Sequence, residues 1–345
     1  MTLKSEIFEQ VDVLDRLFNQ QAAAIRRIAE DIRRIEPQYV FLAARGTSDN
    51  AGRYANYLWG SMNGLPVALA TPSLFTFYRQ PPNLRGALVV GVSQSGQSPD
   101  IVEVLAEGRH QGCATLAITN AVHSPLAEVA DHVIDIQAGE EAAVAATKTY
   151  TAELMAIAMF SMALRDDRQN LAALGQTPRW VQQALLLDEV IARIAERYRY
   201  MSHCVVIGRG YNYATAFEWS LKLKELTYVV AEPYSSADFQ HGPIAMVERG
   251  FPVMAVAHSG RVFEDVLNML RRLRDELHGE LLVISDQSAA LELAQSPLRL
   301  PPDIPEWASP LAAIIPAQLF AYHLTRVKGY DPDQPRSIRK ITETH

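Results

Sequence analysis

The stretch "YVFLAARGTSDNAG", residues 39–52, returns 164 positions later as "HCVVIGRGYNYATA", residues 203–216. Each copy has an apolar run of strand length, an Arg-Gly turn and a continuation typical of a helix. The turn glycines are Gly46 and Gly210. Strands that alternate with helices in this way build parallel sheets. The sequence therefore predicts the same α/β unit in each half of the chain.

Two further pairs of segments continue the repeat in the same order. "VVGVSQSGQSPD" (89–100) matches "VMAVAHSGRVFED" (253–265), and their turn glycines Gly96 and Gly260 are again 164 positions apart. "TLAITN" (115–120) then matches "LLVISD" (281–286) at a spacing of 166. Residues 166–200 have the pattern of helices with one polar face. We therefore expect a duplicated α/β domain whose copies are joined by a helical connector.

Length and composition are those of a globular protein with room for two cores. The chain has 345 residues, of which 48% are hydrophobic and 21% charged, and this length favours two domains. The net charge of -7 argues against a nucleic-acid partner. Cys113 and Cys204 lie in apolar strand-like segments, which predicts buried free thiols rather than a disulfide. Because no signal peptide or apolar run of 18 residues is present, we expect a cytoplasmic protein without a membrane span.

Two turns of the first copy are rich in hydroxyl groups. They are "GTS", residues 46–48, and "SQSGQS", residues 93–98, and both follow apolar strands. Ligands of open parallel sheets bind beyond the carboxyl ends of the strands, where loops enter helices, and such helix N-termini attract anions. Ser98 suits the N-cap of a helix that begins at Pro99. The alternative is that these residues only cap helices and form turns. Neither turn has a nucleotide-binding pattern, so a phosphate monoester is the expected ligand.

The second copy carries a different set of polar residues. Glu218, Lys222 and Glu225 follow one another at spacings of four and three, which places all three on one face of a helix. The alternative to a functional cluster is a stripe of ion pairs on the surface. His241 follows in the irregular segment "SSADFQHGP", where a histidine is often merely solvated. Carboxylates, an amine and an imidazole beside a phosphate site would be suited to proton transfer.

At this level of detail the chain resembles the SIS (sugar isomerase) proteins with two copies of the domain, in particular the isomerase half of glucosamine-6-phosphate synthase and its stand-alone relatives. The resemblance is carried by "GTS", "SQSGQSPD", "AGEEAAVAATKTYT", "EWSLKLKELTYVVAEPY", "HGP" and "PRSIRKIT", which span most of the chain. It implies two tandem SIS domains with flavodoxin-like three-layer sandwiches. The implied division begins with an N-terminal helical segment (1–30) and a first domain (31–165). A helical connector (166–195), a second domain (196–330) and a tail over the active site (331–345) follow.

The resemblance also implies roles for individual residues. Glu225 would move a proton between C1 and C2 of the sugar, with Lys222 and Glu218 positioning hydroxyl groups. His241 would reach into the active site of a neighbouring subunit and assist ring opening, so a homodimer with shared sites is expected. Lys340 would form a Schiff base with the ketose carbonyl. No metal or cofactor is implied. The residues that would hold the phosphorylated sugar or amino sugar are Gly46, Thr47, Ser48, Ser93, Gln94, Ser95, Ser98, Val144 and Ala145.

The chain departs from the synthase at several positions. Residue 2 is threonine, whereas the synthase has a cysteine nucleophile at its N-terminus, so glutamine is not expected to be the nitrogen source within this chain. Arg45 replaces a cysteine before "GTS", Trp219 and Ser220 replace a Gly-Ala pair, and Arg339 replaces a small residue before the Schiff-base lysine. An added guanidinium group beside that lysine could change the substituent that the site accepts.

Three functions agree with these observations. The first is a hexosamine-6-phosphate deaminase and isomerase that takes glucosamine 6-phosphate to fructose 6-phosphate and ammonia. The second is a deglycase that cleaves a 6-phosphorylated fructosamine such as fructoselysine 6-phosphate, with an amino acid as the leaving group. The third is a sugar-phosphate sensor without catalysis. Glu225, His241 and Lys340 favour an enzyme, but no sequence feature separates the first two functions.

Overall fold

The computed structural model describes residues 2–338 and Lys340. The chain forms two compact units. The N-terminal unit comprises Glu9–Ala142, Ala146–Pro178 and, of the tail, Lys340. The C-terminal unit comprises Arg179–Ile338 together with residues 2–8 and 143–145. Arg339, which the sequence places beside the expected Schiff-base lysine, lies outside the described residues, as do tail residues 341–345.

The N-terminal unit is built on a five-stranded parallel sheet with the strand order β2-β1-β3-β4-β5. The strands are β1 Tyr39–Ala43, β2 Val67–Leu69, β3 Ala87–Val92, β4 Ala114–Thr119 and β5 His132–Asp135. The helices from the start of the chain through the connector are α1 Leu3–Ile35, α2 Gly46–Leu58, α3 Ser73–Thr76, α4 Pro99–His110, α5 Pro125–Val129, α6 Lys148–Arg165, α7 Arg168–Leu174, α8 Thr177–Leu185 and α9 Asp188–Arg197, with a π-helical turn at Trp59–Asn63. Of these, α9 and residues 179–185 of α8 belong to the C-terminal unit.

The C-terminal unit has a second five-stranded parallel sheet, ordered β10-β9-β8-β6-β7. Its strands are β6 His203–Gly208, β7 Val230–Ser235, β8 Pro252–Val256, β9 Glu280–Ser285 and β10 Ser296–Arg299. Its helices are α10 Tyr213–Thr227, α11 Ser236–Gln240, α12 Phe263–Asp275, α13 Ser288–Leu291 and α14 Ser309–Val327, with short 3-10 turns at Gly210–Asn212, Pro243–Met246 and Glu306–Ala308.

The two sheets have one topology, which confirms the duplication predicted from the sequence. If the strands of each unit are counted in chain order, both sheets run 2-1-3-4-5, the flavodoxin-like order. The register agrees as well, because β1 pairs Leu42 with Leu69 and β6 pairs Val206 with Pro233, each 164 positions later. Gly46 and Gly210 begin the following helical segments with similar positive φ angles of 53° and 60°.

Apolar side chains fill the interior of each unit on both faces of the sheet. Every residue of β3 and β8 is buried, as expected for central strands of a parallel sheet that helices cover on both sides. Cys113 and Cys204 are buried free thiols, as predicted. None of the helices within residues 2–338 has the length and apolar character needed to cross a membrane.

Replacing Gly96 with alanine should destabilise the N-terminal unit strongly. Gly96 has φ +60°, and a Cβ atom there would lie 2.0 Å from Ser124 Oγ. Positive φ costs about 1–2 kcal/mol for a residue with a side chain, and overpacking adds about 1–3 kcal/mol. Gly112→Ala is the matched control, because Gly112 has φ +77° and open space around it. Chemical denaturation should show a larger loss for Gly96→Ala, and equal losses would contradict the clash.

Candidate functional site

The loop that follows β3 is held by the backbone of the neighbouring strand and by its own hydroxyl groups. The Ser93 N–H donates to Ile118 O at 3.1 Å, at the end of β4. Ser93 Oγ accepts the N–H of Gly96 at 3.2 Å, and Ser95 Oγ accepts the N–H of Gln97 at 3.3 Å. A serine hydroxyl that accepts a hydrogen bond still has its own hydrogen to donate. Both serines can therefore shape the turn and donate to an anion.

The same loop leads directly into a helix. Ser98 is the N-cap of α4 and Pro99 its first residue, as the sequence predicts. The Ser98 side chain makes no capping hydrogen bond. The first N–H groups of a helix and its dipole favour negative charge at this end. The loop thus combines serine hydroxyl groups with the positive end of a twelve-residue helix.

The neighbouring hydroxyl-rich turn begins α2 and has a different arrangement. Ser48 is buried and donates its hydroxyl hydrogen to Glu153 Oε1 of α6 at 2.8 Å. In this arrangement Ser48 can only accept a further hydrogen bond. Glu153 is not found by sequence analysis, because 105 positions separate it from Ser48. The Ser48 hydroxyl hydrogen is therefore not available to an anion in this arrangement, and the neighbouring Thr47 is half-buried.

In the C-terminal unit, the equivalent loop after β8 donates its N–H groups to carboxylates of the same unit. Ser259 is the counterpart of Ser95, and its N–H donates to Asp286 Oδ1 at 2.8 Å. The N–H of Arg261 donates to Glu306 Oε2 at 3.0 Å. Gly260 packs against the same glutamate, since a Cβ atom there would lie 2.2 Å from Glu306 Cδ. The duplicated loop therefore holds an anionic group, and Glu306 supplies it in this unit.

Substitution of the two loop serines should weaken phosphate binding. We expect the double variant Ser93→Ala/Ser95→Ala to bind fructose 6-phosphate at least about tenfold more weakly, because each hydrogen bond to a charged acceptor contributes roughly 1.5–3 kcal/mol. Isothermal titration calorimetry measures the affinity. Ser259→Ala is the matched control in the other copy and should bind as the unmodified protein does. An unchanged affinity in the folded double variant would place the phosphate elsewhere.

Helix α10 carries an ion cluster, defined as Glu218, Lys222 and Glu225. Lys222 Nζ lies 3.3 Å from Glu218 Oε1 and 2.6 Å from Glu225 Oε2. The Lys222 side chain is 2% exposed and that of Glu218 fully buried, whereas that of Glu225 is 25% exposed. Burial disfavours the charged form of Lys222, but the two carboxylates outweigh this effect and raise its pKa above the usual value. Lys222 is therefore a stable ammonium group.

The burial of this cluster excludes the surface stripe that the sequence left open. A stripe of solvated ion pairs would expose all three side chains, but only Glu225 reaches solvent. Glu225 lies in the last turn of α10, which ends at Thr227 before Tyr228 takes a left-handed conformation with φ 58°. Glu225 is therefore the member of the cluster whose carboxylate a ligand can reach from solvent.

The remaining candidate site residues found in the C-terminal unit have separate surroundings. His241 is exposed at the end of α11, and its ring makes no hydrogen bond or ion pair with any described residue, including the α10 cluster. Val144 is half-buried and Ala145 buried. Both belong to the short segment 143–145 that packs in this unit, where the Ala143 N–H donates to the Glu6 carboxylate at 3.2 Å.

In the N-terminal unit, Lys340 is held by a buried carboxylate. Its Nζ donates to Glu141 Oε2 at 2.6 Å, and the Glu141 side chain is fully buried. Glu141 also accepts the N–H groups of Thr147 and Thr149 at 2.9 and 3.2 Å and the Thr149 hydroxyl at 2.8 Å. The sequence does not predict the hydrogen bonds between Glu141 and the start of α6, because Glu141 lies six positions before the N-cap Thr147, a spacing outside the capping-box pattern. It does not predict the ion pair with Lys340 either, because 199 positions separate the two residues.

The chain is similar to known proteins in both sequence and structure. The family model of the SIS domain matches residues 35–163 and 199–328. The chain is 31% identical over 340 residues to an isomerizing glutamine–fructose-6-phosphate aminotransferase of Pyrococcus horikoshii, covering 97% of this chain and 56% of the relative. An enzyme of the same name from Thermus thermophilus is 32% identical over 351 residues, with 97% and 57% covered. The chain thus spans little more than half the length of these relatives.

A solved structure gives a match along nearly the whole of both chains. It is the C-terminal domain of glucosamine-fructose-6-phosphate aminotransferase from Francisella tularensis, with a TM-score of 0.87 and 29% sequence identity. The match covers 96% of this chain and 98% of the other. The two matched segments, the two sheets of one topology and the shared motifs agree, and the chain belongs to the SIS domain family as a protein with two tandem SIS domains.

Proposed function

We propose that the protein is a phosphosugar isomerase that converts glucosamine 6-phosphate and water to fructose 6-phosphate and ammonia. The observation that carries the proposal is the α10 cluster, where the partly exposed Glu225 is paired with a buried ammonium group. The names of its relatives describe isomerizing enzymes of fructose 6-phosphate, which supports chemistry between C1 and C2 of a hexose phosphate. The serine loop before α4 supports a phosphate ester as the ligand.

The proposed isomerisation is a proton transfer within the open-chain sugar. His241 assists ring opening, and Glu225 removes the proton from C2 of the amino aldehyde. The electrons of that bond form a double bond between C1 and C2, and the negative charge moves to the C1 oxygen. Lys222 stabilises this charge as an ammonium group, because its pKa is raised. Return of the proton to C1, together with transfer of a proton from the nitrogen to the C1 oxygen, then gives a C1 hydroxyl group and an imine at C2.

Release of the nitrogen follows through Lys340. The neutral amine of Lys340 adds to the C2 imine carbon, ammonia leaves with the proton it needs, and a Schiff base joins the lysine to C2. Water then hydrolyses this bond, which frees the amine and gives the ketose carbonyl. Attack requires the lysine to lose a proton, and Glu141 is the carboxylate within 2.6 Å that can accept it.

One assay separates this function from its alternatives. The purified protein should release ammonia and fructose 6-phosphate from glucosamine 6-phosphate in equal amounts. Release of lysine from fructoselysine 6-phosphate, with no ammonia from glucosamine 6-phosphate, would instead establish the deglycase. Binding of fructose 6-phosphate with neither reaction and no proton exchange would leave the sensor function. A cytoplasmic location remains part of the proposal.

A homodimer with shared active sites is a further part of the proposal, and complementation tests it. The Glu225→Gln and His241→Ala variants should each be inactive alone and should regain part of the activity when mixed, since hybrid dimers contain one site with both native residues. Subunit exchange is followed by native mass spectrometry, and activity by ammonia release. Each variant mixed with itself is the control. Hybrids without activity would place both residues in the site of one chain.

A further inference from the structure

We propose that Arg45 is a phosphate-binding residue that makes the site selective for dianionic phosphate esters. This inference rests on the proposed function, since it assigns a ligand to the loops that would hold the substrate phosphate. Arg45 lies directly before Gly46, at the N-cap of α2. Its Nε donates to Asp100 Oδ2 at 2.7 Å, in the first turn of α4. The guanidinium group thus extends from the turn at 46–48 to the helix that follows the serine loop.

The duplicated unit contains a similar Arg-Asp pair, with the arginines 164 and the aspartates 165 positions apart in the sequence, but in a different arrangement. Arg209 has the backbone conformation of Arg45, with φ and ψ of −146° and 154° against −138° and 154°. It pairs with Asp265 on α12, but through its terminal Nη1, which lies 2.5 Å from Asp265 Oδ2 and 3.3 Å from Ser236 Oγ. The spacing of 164 places Pro72 at the position of Ser236, and proline has no hydroxyl group.

These differences leave the terminal nitrogens of Arg45 available. Arg45 uses Nε for its ion pair, and the structure records no hydrogen bond from its Nη atoms to a described residue. Its side chain is 48% exposed, compared with 32% for Arg209. Two Nη groups side by side form the fork that binds phosphate oxygens in pairs. The two arginines share a backbone conformation and an aspartate partner, but they pair through different nitrogens. The exposed Nη groups are therefore a feature of Arg45 that Arg209 lacks.

The negative charge of the buried Asp100 is a second argument that Arg45 binds the phosphate. Asp100 is 1% exposed, and its Oδ1 has no hydrogen-bond partner among the described residues. A buried carboxylate in the first turn of α4 would repel an incoming phosphate, because unlike a surface charge it is screened little by solvent. Arg45 balances this charge and adds donors that face outward. The C-terminal unit supports an anion at this place, since its equivalent loop holds the Glu306 carboxylate.

Titration calorimetry with fructose 6-phosphate tests the inference on the full chain. We expect Arg45→Gln to weaken binding more than about tenfold, as expected for loss of a charged donor pair. Arg209→Gln removes the equivalent guanidinium from the other copy and should leave the affinity unchanged. The unmodified protein should bind more tightly as pH rises through the second pKa of the phosphate, about 6, and Arg45→Gln should lose most of this dependence.

The double variant Arg45→Gln/Asp100→Asn separates contact from neutralisation. It removes both charges, so no buried carboxylate is left unpaired. The test can therefore still be made if the unpaired Asp100 prevents Arg45→Gln from folding. We expect it to bind fructose 6-phosphate about tenfold or more weakly than the unmodified protein. Full affinity in the double variant, or in folded Arg45→Gln, would overturn the inference and leave Arg45 as a clamp between two elements. Failure of the unmodified protein to bind fructose 6-phosphate would instead overturn the proposed function.

Discussion

Glu225→Gln should lower the rate of proton exchange at the sugar by about 10²–10⁴-fold, the usual contribution of a general base. Glutamine has the shape of glutamate but cannot accept a proton from C1 or C2 of the sugar. The fold should survive, because Lys222 keeps its ion pair with the buried Glu218 at 3.3 Å. The measurement is the incorporation of deuterium at C1 of fructose 6-phosphate in D₂O, followed by NMR.

Two further variants make this result specific. Glu232→Gln changes an exposed carboxylate of β7 in the same unit and should exchange protons at the unmodified rate. Glu225→Asp keeps the base but moves it away by one methylene group, so partial activity is expected. If the folded Glu225→Gln variant exchanged deuterium at the unmodified rate, the base would be another residue and the proposed role of the α10 cluster would be wrong.

Lys340→Ala should abolish the covalent intermediate and slow ammonia release by at least about a hundredfold, since expulsion of nitrogen then proceeds without nucleophilic catalysis. Borohydride reduction in the presence of fructose 6-phosphate should add one hexose phosphate to the unmodified protein, on the peptide that contains Lys340. The alanine variant should stay unlabelled in mass spectrometry. Proton exchange should be much less affected, because it depends on Glu225.

The Lys340→Ala variant is expected to remain folded. Glu141 keeps its hydrogen bonds from Thr147 and Thr149, so its buried charge is not left without donors. Lys224→Ala, a change at an exposed lysine of α10, is the control and should retain the adduct. An adduct on Lys222, or full ammonia release without Lys340, would refute the assignment of the Schiff-base lysine.

Much of the fold could be predicted from the sequence, because it depends on local patterns. Apolar runs of strand length and glycine turns recur at one spacing, and a few adjacent residues are enough to predict the conformation of each βα unit. Local patterns also predict the serine loop and the N-cap at Ser98. They predict the single helix face shared by Glu218, Lys222 and Glu225, since helical periodicity alone determines that face.

The tertiary structure decided which of these polar groups is buried and what each one contacts. The sequence could not distinguish a surface stripe from a buried cluster around Lys222, because burial depends on elements that pack from elsewhere in the unit. Ser48 is paired with Glu153, Arg45 with Asp100 and Lys340 with Glu141 across 105, 55 and 199 positions. No local pattern encodes such pairs, because two side chains meet only when strand order and helix packing bring their distant elements together.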